Sequence, residues 1–229
     1  MKILALESST EACSVALMDD DAIISRHEVA PRRHAELILP FMDELLAEAE
    51  LSLSQIDALA FGRGPGAFTG IRIATGVIQG IAFAVDLPVV AVSTLAAVAQ
   101  GSAREQGITK AIVANDARMD EVYWGAYTLD PAGRMQALAE ECVVRPEEVP
   151  TLEGEGWYGT GSGWSIYGNV LTERYGQQLN ATESERLPHA QDVAWLARGL
   201  AEQGQAVTAE QALPVYLRDK VAEKKKNQA

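Results

Sequence analysis

Asp57-Ala-Leu-Ala-Phe-Gly-Arg-Gly-Pro-Gly-Ala-Phe-Thr-Gly-Ile-Arg-Ile-Ala-Thr-Gly76 passes from a short apolar run through a glycine-dense turn into a long segment that is apolar almost all round. It reads as strand, tight turn, buried helix. Glycine permits positive φ and close backbone approach, and Pro65 stiffens the turn. Such a turn can present amides to an anion at a helix N-terminus. A phosphate loop of the Gly-x-x-x-x-Gly-Lys type is excluded, because no lysine occurs between Ile3 and Arg104. Gly62-x-Gly64-x-x-Ala67 fits the looser dinucleotide fingerprint. The strand that follows, Leu87-Pro-Val-Val-Ala-Val92, however ends in Ser93-Thr94 where that fingerprint wants an acid for the ribose. The third reading is a turn whose glycines only let the helix pack on the strand.

Outward from this stretch the chain echoes itself. Lys2-Ile-Leu-Ala-Leu-Glu7 is a buried strand ending in a Ser-Ser-Thr turn, followed by strands at Cys13–Leu17 and from Ala22. Lys110-Ala-Ile-Val-Ala-Asn-Asp116 repeats the first strand, Glu121–Tyr127 the second and Met135-Gln-Ala-Leu the third. Gly62-x-Gly64-x-Gly66 returns as Gly159-x-Gly161-x-Gly163. Two copies of a βββαβα unit predict an α/β fold of two lobes, residues 1–100 and 101–229. The break is placed near Gly101, and the final segment is expected to return to the first lobe.

Two first-lobe helices carry more apolar surface than one core needs. Between Ala35 and Ala49, Leu37, Ile38, Leu39, Phe41, Met42, Leu45, Leu46 and Ala49 sweep an arc of roughly 200°, about twice that of a one-sided surface helix. From Ile71 to Val85 only Arg72, Thr75 and Gln79 are polar, and Gly76 and Gly80 would let another helix approach closely. Burial against a partner and burial inside the monomer both account for this surplus.

Composition sets outer limits. The 229 residues are 48% hydrophobic and 22% charged, values of an ordinary globular chain long enough for a sizeable core. No uninterrupted apolar run is expected to span a membrane, and Met1-Lys2 leads into a strand without a signal-peptide pattern. Cys13 and Cys142 are too few for a disulfide framework, which fits a reducing cytoplasm. A net charge of −13 argues against this chain alone gripping an RNA or DNA backbone. The one basic concentration, Arg218, Lys220 and Lys224-Lys225-Lys226, reads as a solvated, frayed end.

His27, His34 and His189 show no metal-ligand spacing; His34 reads as a helix cap or a surface contact. Asp116, Arg118, Asp120 and Glu121 make a polar turn after the second lobe's first strand, and Glu7, Ser8 and Ser9 hold the equivalent place in the first. Glu7, Ser8, Ser9, Asp116 and Arg118 are therefore the candidates for a vestigial nucleotide site, with a solvent-exposed charged turn as the alternative.

The opening Ile3-Leu-Ala-Leu-Glu-Ser-Ser-Thr-Glu-Ala, the Arg33-His-Ala-Glu-Leu helix start, Gly62–Arg72, Asp116-Ala-Arg-Met-Asp-Glu-Val-Tyr123 and Pro214-Val-Tyr-Leu-Arg-Asp219 together resemble the TsaB (YeaZ) family nearly end to end. The resemblance implies a two-lobe actin/Hsp70-like (ASKHA) fold with a degenerate second lobe. It implies a subunit without catalytic residues or a metal, which binds TsaD for threonylcarbamoyl transfer to adenosine 37 of ANN-decoding tRNAs. TsaD, the ATPase TsaE and a second copy of the chain are the implied partners. tRNA is met only through the complex, no cofactor is held tightly, and ATP or ADP would sit at the complex interface. Where TsaD carries an Asn-His-x-x-x-x-His-like metal stretch, this sequence has Ser93-Thr-Leu-Ala-Ala-Val-Ala99, without a ligand-quality side chain. The implied partner surface is His34, Leu37, Ile38, Phe41, Met42, Leu45, Gly66, Phe68, Ile71, Arg72, Thr75 and Gln79. The stripe facing outward is either Leu37/Phe41/Leu45 or Leu39/Met42/Leu46. The competing function is an independent kinase-like or ATP-hydrolysing enzyme on the same fold.

Overall fold

The computed structural model describes residues 1–218. In the first half, strands β1 (Lys2–Glu7), β2 (Ala12–Asp19) and β3 (Ala22–Val29) form an antiparallel meander. Helix α1 (His34–Glu48) leads to β4 (Ala58–Gly62), which lies parallel to β1 with Ile3 opposite Ala58. Helix α2 (Phe68–Val85), strand β5 (Val89–Val92) and helix α3 (Thr94–Gln106) follow, and the sheet order is β3-β2-β1-β4-β5. The central strands are apolar along their length because both faces of the sheet are covered. One face meets α1 and α2 through Leu4, Leu6, Leu17, Ile38, Leu45 and Phe61. Each such large side chain contributes roughly 1.5–3 kcal/mol on burial.

The second half repeats the plan. Strands β6 (Lys110–Arg118), β7 (Glu121–Leu129) and β8 (Met135–Ala137) form its meander, and β9 (Cys142–Val144) pairs with the other end of β7. After β10 (Trp157–Thr160), α4 (Gly163–Tyr175) and β11 (Leu179–Glu183), the chain enters α5 (Ala190–Glu202). The sheet order β8-β7-β6-β10-β11 is that of the first sheet position for position. The copy is degenerate where α1 would stand: β9 and one 3-10 turn, Pro146–Glu148, fill that place. Trp124, Trp157, Trp164 and Tyr175 make the core beneath α4, where the Trp124 Nε1 donates to the Tyr175 hydroxyl at 2.7 Å.

Helices α3 and α5 lie against each other in the middle of the molecule. Helix α3 covers the second sheet through Leu95, Val98 and Ala99, whereas α5 covers the first through Val193, Ala194 and Ala197. Gly101, read from sequence as a break, lies inside α3. A Cβ there would come within 3.1 Å of the Asp192 carboxylate on α5. That carboxylate takes both arms of Arg104, at 2.9 and 3.1 Å. Burial raises the Asp192 carboxyl pKa, and Arg104 opposes the rise.

By length and composition α2 is long and apolar enough to cross a membrane, but Arg72, Thr75 and Gln79 interrupt it, so it is not an uninterrupted apolar run. Its inner face, with Ile71, Ala74, Ile78 and Ala82, packs into the protein core.

His189 caps α5, its Nδ1 accepting from the Gln191 amide at 3.1 Å, and its ring stacks on His27 with centroids 4.8 Å apart. Burial, reinforced by His27 and Arg104 and opposed by Glu105, pushes the His189 imidazole down to about 4. Burial also lowers His27. The unfolded chain titrates this group near 6.5, so it takes up the proton more readily than the folded one. Its contribution is therefore complete above about pH 6.5 and is lost as pH falls toward 4, by up to about 2 kcal/mol after allowance for solvent screening. His189→Asn keeps a capping side chain without the titration. Thermal melts at pH 7.5 and 4.5 should show a smaller drop for this variant than for wild type; equal drops would remove His189 from the account.

Candidate functional site

The glycine turn is built for close packing. A Cβ on Gly62 would lie 1.7 Å from the Glu7 Oε2, one on Gly66 2.6 Å from the Ser9 carbonyl oxygen and one on Gly70 1.9 Å from that of Ser8. The Ala67 amide donates to the Ser9 carbonyl at 2.7 Å, and the Ser8 hydroxyl to the Gly70 carbonyl at 3.0 Å. The Ala67 amide thus already serves the β1–β2 connection. The glycines let the turn pack closely on that connection, as the packing reading expects. The second lobe repeats the device. Gly161, at φ 106°, and Gly163 place their missing Cβ atoms 2.7 Å from the Ala114 carbonyl oxygen.

Between these two turns lies a cleft of about 1150 Å³. Of the five nucleotide-site candidates, Ser9, Asp116 and Arg118 line it, and Glu7 and Ser8 stand behind its wall. Glu7 is fully buried; its Oε1 accepts from the Ser9 amide at 2.5 Å, and the Thr94 hydroxyl reaches its Oε2 at 3.5 Å. Burial raises its carboxyl pKa against the pull of these hydrogen bonds. Asp116 is already paired, at 2.8 Å with the Arg118 guanidinium and at 2.9 Å with the Arg118 amide. Arg118, Met119 and Asp120 are all left-handed, with φ of 63°, 58° and 58°. Each costs about 1 kcal/mol for a residue with a Cβ.

At Ser93, where the resemblance places the TsaD metal stretch, the hydroxyl caps α3 by accepting from the Leu95 and Ala96 amides at 3.1 and 3.3 Å. It also donates to Glu141, which accepts at 2.5 Å from the Tyr127 hydroxyl. Burial and the adjacent Glu141 push the Tyr127 phenol well above its ordinary range. Sequence reasoning missed Glu141 and Tyr127, since Glu140-Glu141 stands in a connection without a motif. Among the described residues no group of three or more His, Cys, Asp or Glu side chains is arranged to hold a metal ion.

The expected partner surface divides sharply. His34, Leu37, Ile38, Met42, Leu45, Ile71 and Thr75 are buried in the protein's own core. The His34 Nε2 is 2.8 Å from the Thr10 carbonyl, tying α1 to the β1–β2 turn, so the ring is not a surface contact. Both α1 stripes face inward: Leu46 is buried too and Phe41 half-buried, and only Leu39 is exposed. The Arg72 Nε donates to the Tyr216 hydroxyl at 3.0 Å, and the Gln79 amide to the Ala212 carbonyl at 3.0 Å. These two side chains therefore hold the C-terminal segment along α2. Arg218, expected in a frayed tail, pairs with Glu121, while Lys220 and Lys224–Lys226 lie outside the described residues. Gly66 is half-buried in the packed turn and Phe68 is exposed.

What stays open on α2 is the stripe Thr69, Gly76, Gly80, Phe83 and Ala84, which includes the two glycines expected to let another helix approach. A Cβ on Gly76 or Gly80 would meet nothing within 4 Å, and Phe83 is 77% exposed. Met42→Glu should cost about 3–5 kcal/mol by burying a carboxylate, and Leu39→Glu less than about 0.5 kcal/mol. Urea denaturation of the two variants checks this; equal losses would mean α1 is not seated as described.

Two sheets of one strand order, with paired helices between them and a cleft flanked by matching turns, define the two-lobe α/β class of actin and Hsp70. A family model described as TsaD, tRNA N6-adenosine threonylcarbamoyltransferase, matches residues 22–226, and the tRNA threonylcarbamoyladenosine biosynthesis protein TsaB of Escherichia coli K12 is 42% identical over 98% of each chain. The chain belongs to the TsaB (YeaZ) family. The Haemophilus influenzae protein of the same name is 38% identical over 98% of this chain and 97% of its own. YeaZ from Pseudomonas aeruginosa is 51% identical, with a TM-score of 0.87 over 94% of this chain and 99% of that one.

Proposed function

We propose that this chain acts in threonylcarbamoyladenosine synthesis as a non-catalytic subunit, binding TsaD and activating its threonylcarbamoyl transfer to adenosine 37 of ANN-decoding tRNAs in the cytoplasm. The observation that carries this reading is the open stripe of α2, small and apolar along its length, with glycines at 76 and 80 and Phe83 standing into solvent. A patch of this kind is buried most effectively by another helix. In the complex the occupant is a helix of TsaD; in its absence the same face pairs with its own copy, the common isologous solution. TsaE joins the assembled pair, ATP or ADP occupies the junction rather than this chain's own cleft, and tRNA is held by the complex.

Two features support a supporting role over an independent enzyme. Glu7 is sealed within the protein, and the Asp116 carboxylate in the cleft is paired with Arg118. The test is co-purification with TsaD, followed by a transfer assay with and without this chain and an ATPase assay on the chain alone. Activation of TsaD only in its presence is the expected result. Turnover of ATP by the purified chain, with no effect on TsaD, would instead establish the independent enzyme.

A further inference from the structure

We propose that the C-terminal segment Pro214–Arg218 is a latch that holds the two lobes closed across the cleft. Val215, Tyr216, Leu217 and Arg218 line that cleft, and this short stretch grips both lobes. On the first lobe the Val215 amide donates to the Arg63 carbonyl at 2.8 Å, inside the glycine turn. The Tyr216 ring packs on Phe68 with centroids 5.4 Å apart and its hydroxyl accepts the Arg72 hydrogen bond, while the Arg72 guanidinium lies 3.7 Å from the centre of the Phe68 ring. On the second lobe Arg218 pairs with Glu121 and donates to the Arg118 carbonyl at 3.1 Å.

Each grip is of moderate strength, which suits a device that opens. The Arg218 and Glu121 side chains keep 16% and 32% of their exposure, enough for water and salt to compete for the pair. Tyr216 is 43% exposed, so its ring can leave Phe68 without baring a core. The carbonyl that Arg218 holds belongs to Arg118, first of the three left-handed residues, so letting go also frees a strained turn at the cleft wall. The latch rests on contacts within this chain and not on the function proposed above, although its first-lobe grip is on α2 through Phe68 and Arg72.

The test measures the separation of the lobes in the full chain. Spin labels are placed on α1 and α4 by Glu36→Cys and Glu173→Cys, in a background with Cys13→Ala and Cys142→Ala. Distances are then compared for the otherwise unchanged protein, Arg218→Ala, Glu121→Gln and the exchanged pair Arg218→Glu with Glu121→Arg. Either single change should shift the distribution several ångströms longer and broaden it, and the exchanged pair should restore the narrow one. Tyr216→Ala gives a second route, releasing the first-lobe grip with Arg218 intact, and should lengthen the distance as well. Circular dichroism identifies any variant that has unfolded. Folded Arg218→Ala and Tyr216→Ala proteins with unchanged distances would overturn the latch.

Discussion

Gly80→Arg should abolish assembly with TsaD while raising, not lowering, the thermal stability of the isolated chain. Gly80 sits inside an 18-residue helix, where glycine costs about 1 kcal/mol against a good helix former. Space does not oppose the change, since a Cβ at this position meets nothing within 4 Å. The free protein therefore gains from the substitution. A partner helix seated on the stripe does not, because it must approach the backbone where the arginine now stands. That overpacking should weaken binding by about 4 kcal/mol, on the order of a thousandfold in Kd. Titration calorimetry against TsaD and a melt of the free chain read the two halves of the prediction. Transfer activity at subsaturating chain should fall in step with binding. Unchanged affinity for both Gly80→Arg and Gly76→Arg would move the partner surface off this face and remove the main support for the function proposed.

The largest effect on folding should come from Gly70→Ala, a change of one methyl group. The added carbon would stand 1.9 Å from the Ser8 carbonyl oxygen and 3.0 Å from its carbon. Neither atom belongs to a side chain that can swing away, and the Ser8 hydroxyl already grips the Gly70 carbonyl. The β1–β2 turn or the first turn of α2 has to move, at an expected cost above about 4 kcal/mol. Gly76→Ala, on the same helix with open space around it, should instead stabilise by about 1 kcal/mol. Denaturant midpoints for the pair decide the matter. A Gly70→Ala protein as stable as wild type would show that this turn yields freely.

The duplicated architecture was legible because it rests on local patterns. The runs at Ile3–Leu6 and Ala111–Ala114 and the two spaced-glycine turns are each readable from a few consecutive residues. Contacts made over long sequence separations were not. Gly101 resembles a helix end in isolation, and its role appears only once Asp192 arrives from α5. The arc on α1 counted as surplus because the width of the first sheet, which absorbs both stripes, is not written in that helix. Arg72 and Gln79 looked free on a helical projection; their partners lie in a segment more than a hundred residues later. Pro214–Asp219 was recognisable as a motif, yet nothing in its composition says that it spans a cleft. Glu7 illustrates the limit at the candidate nucleotide site. An acid closing a buried strand beside a Ser-Ser turn is what ligand chemistry wants, and burial against Gly62 turns it inward.

Helices α3 and α5 each leave the half of the chain that encodes them and seal the sheet of the other. The duplication is therefore interlocked, not tandem. A chain cut at the Gly107 turn would give two fragments, each with one apolar sheet face bare and one helix without its seat. Neither is a free-standing domain, and each supplies what the other needs to be soluble. The intact molecule should therefore melt as one cooperative body despite its two lobes, and its halves should suit split-protein complementation, regaining structure only when mixed.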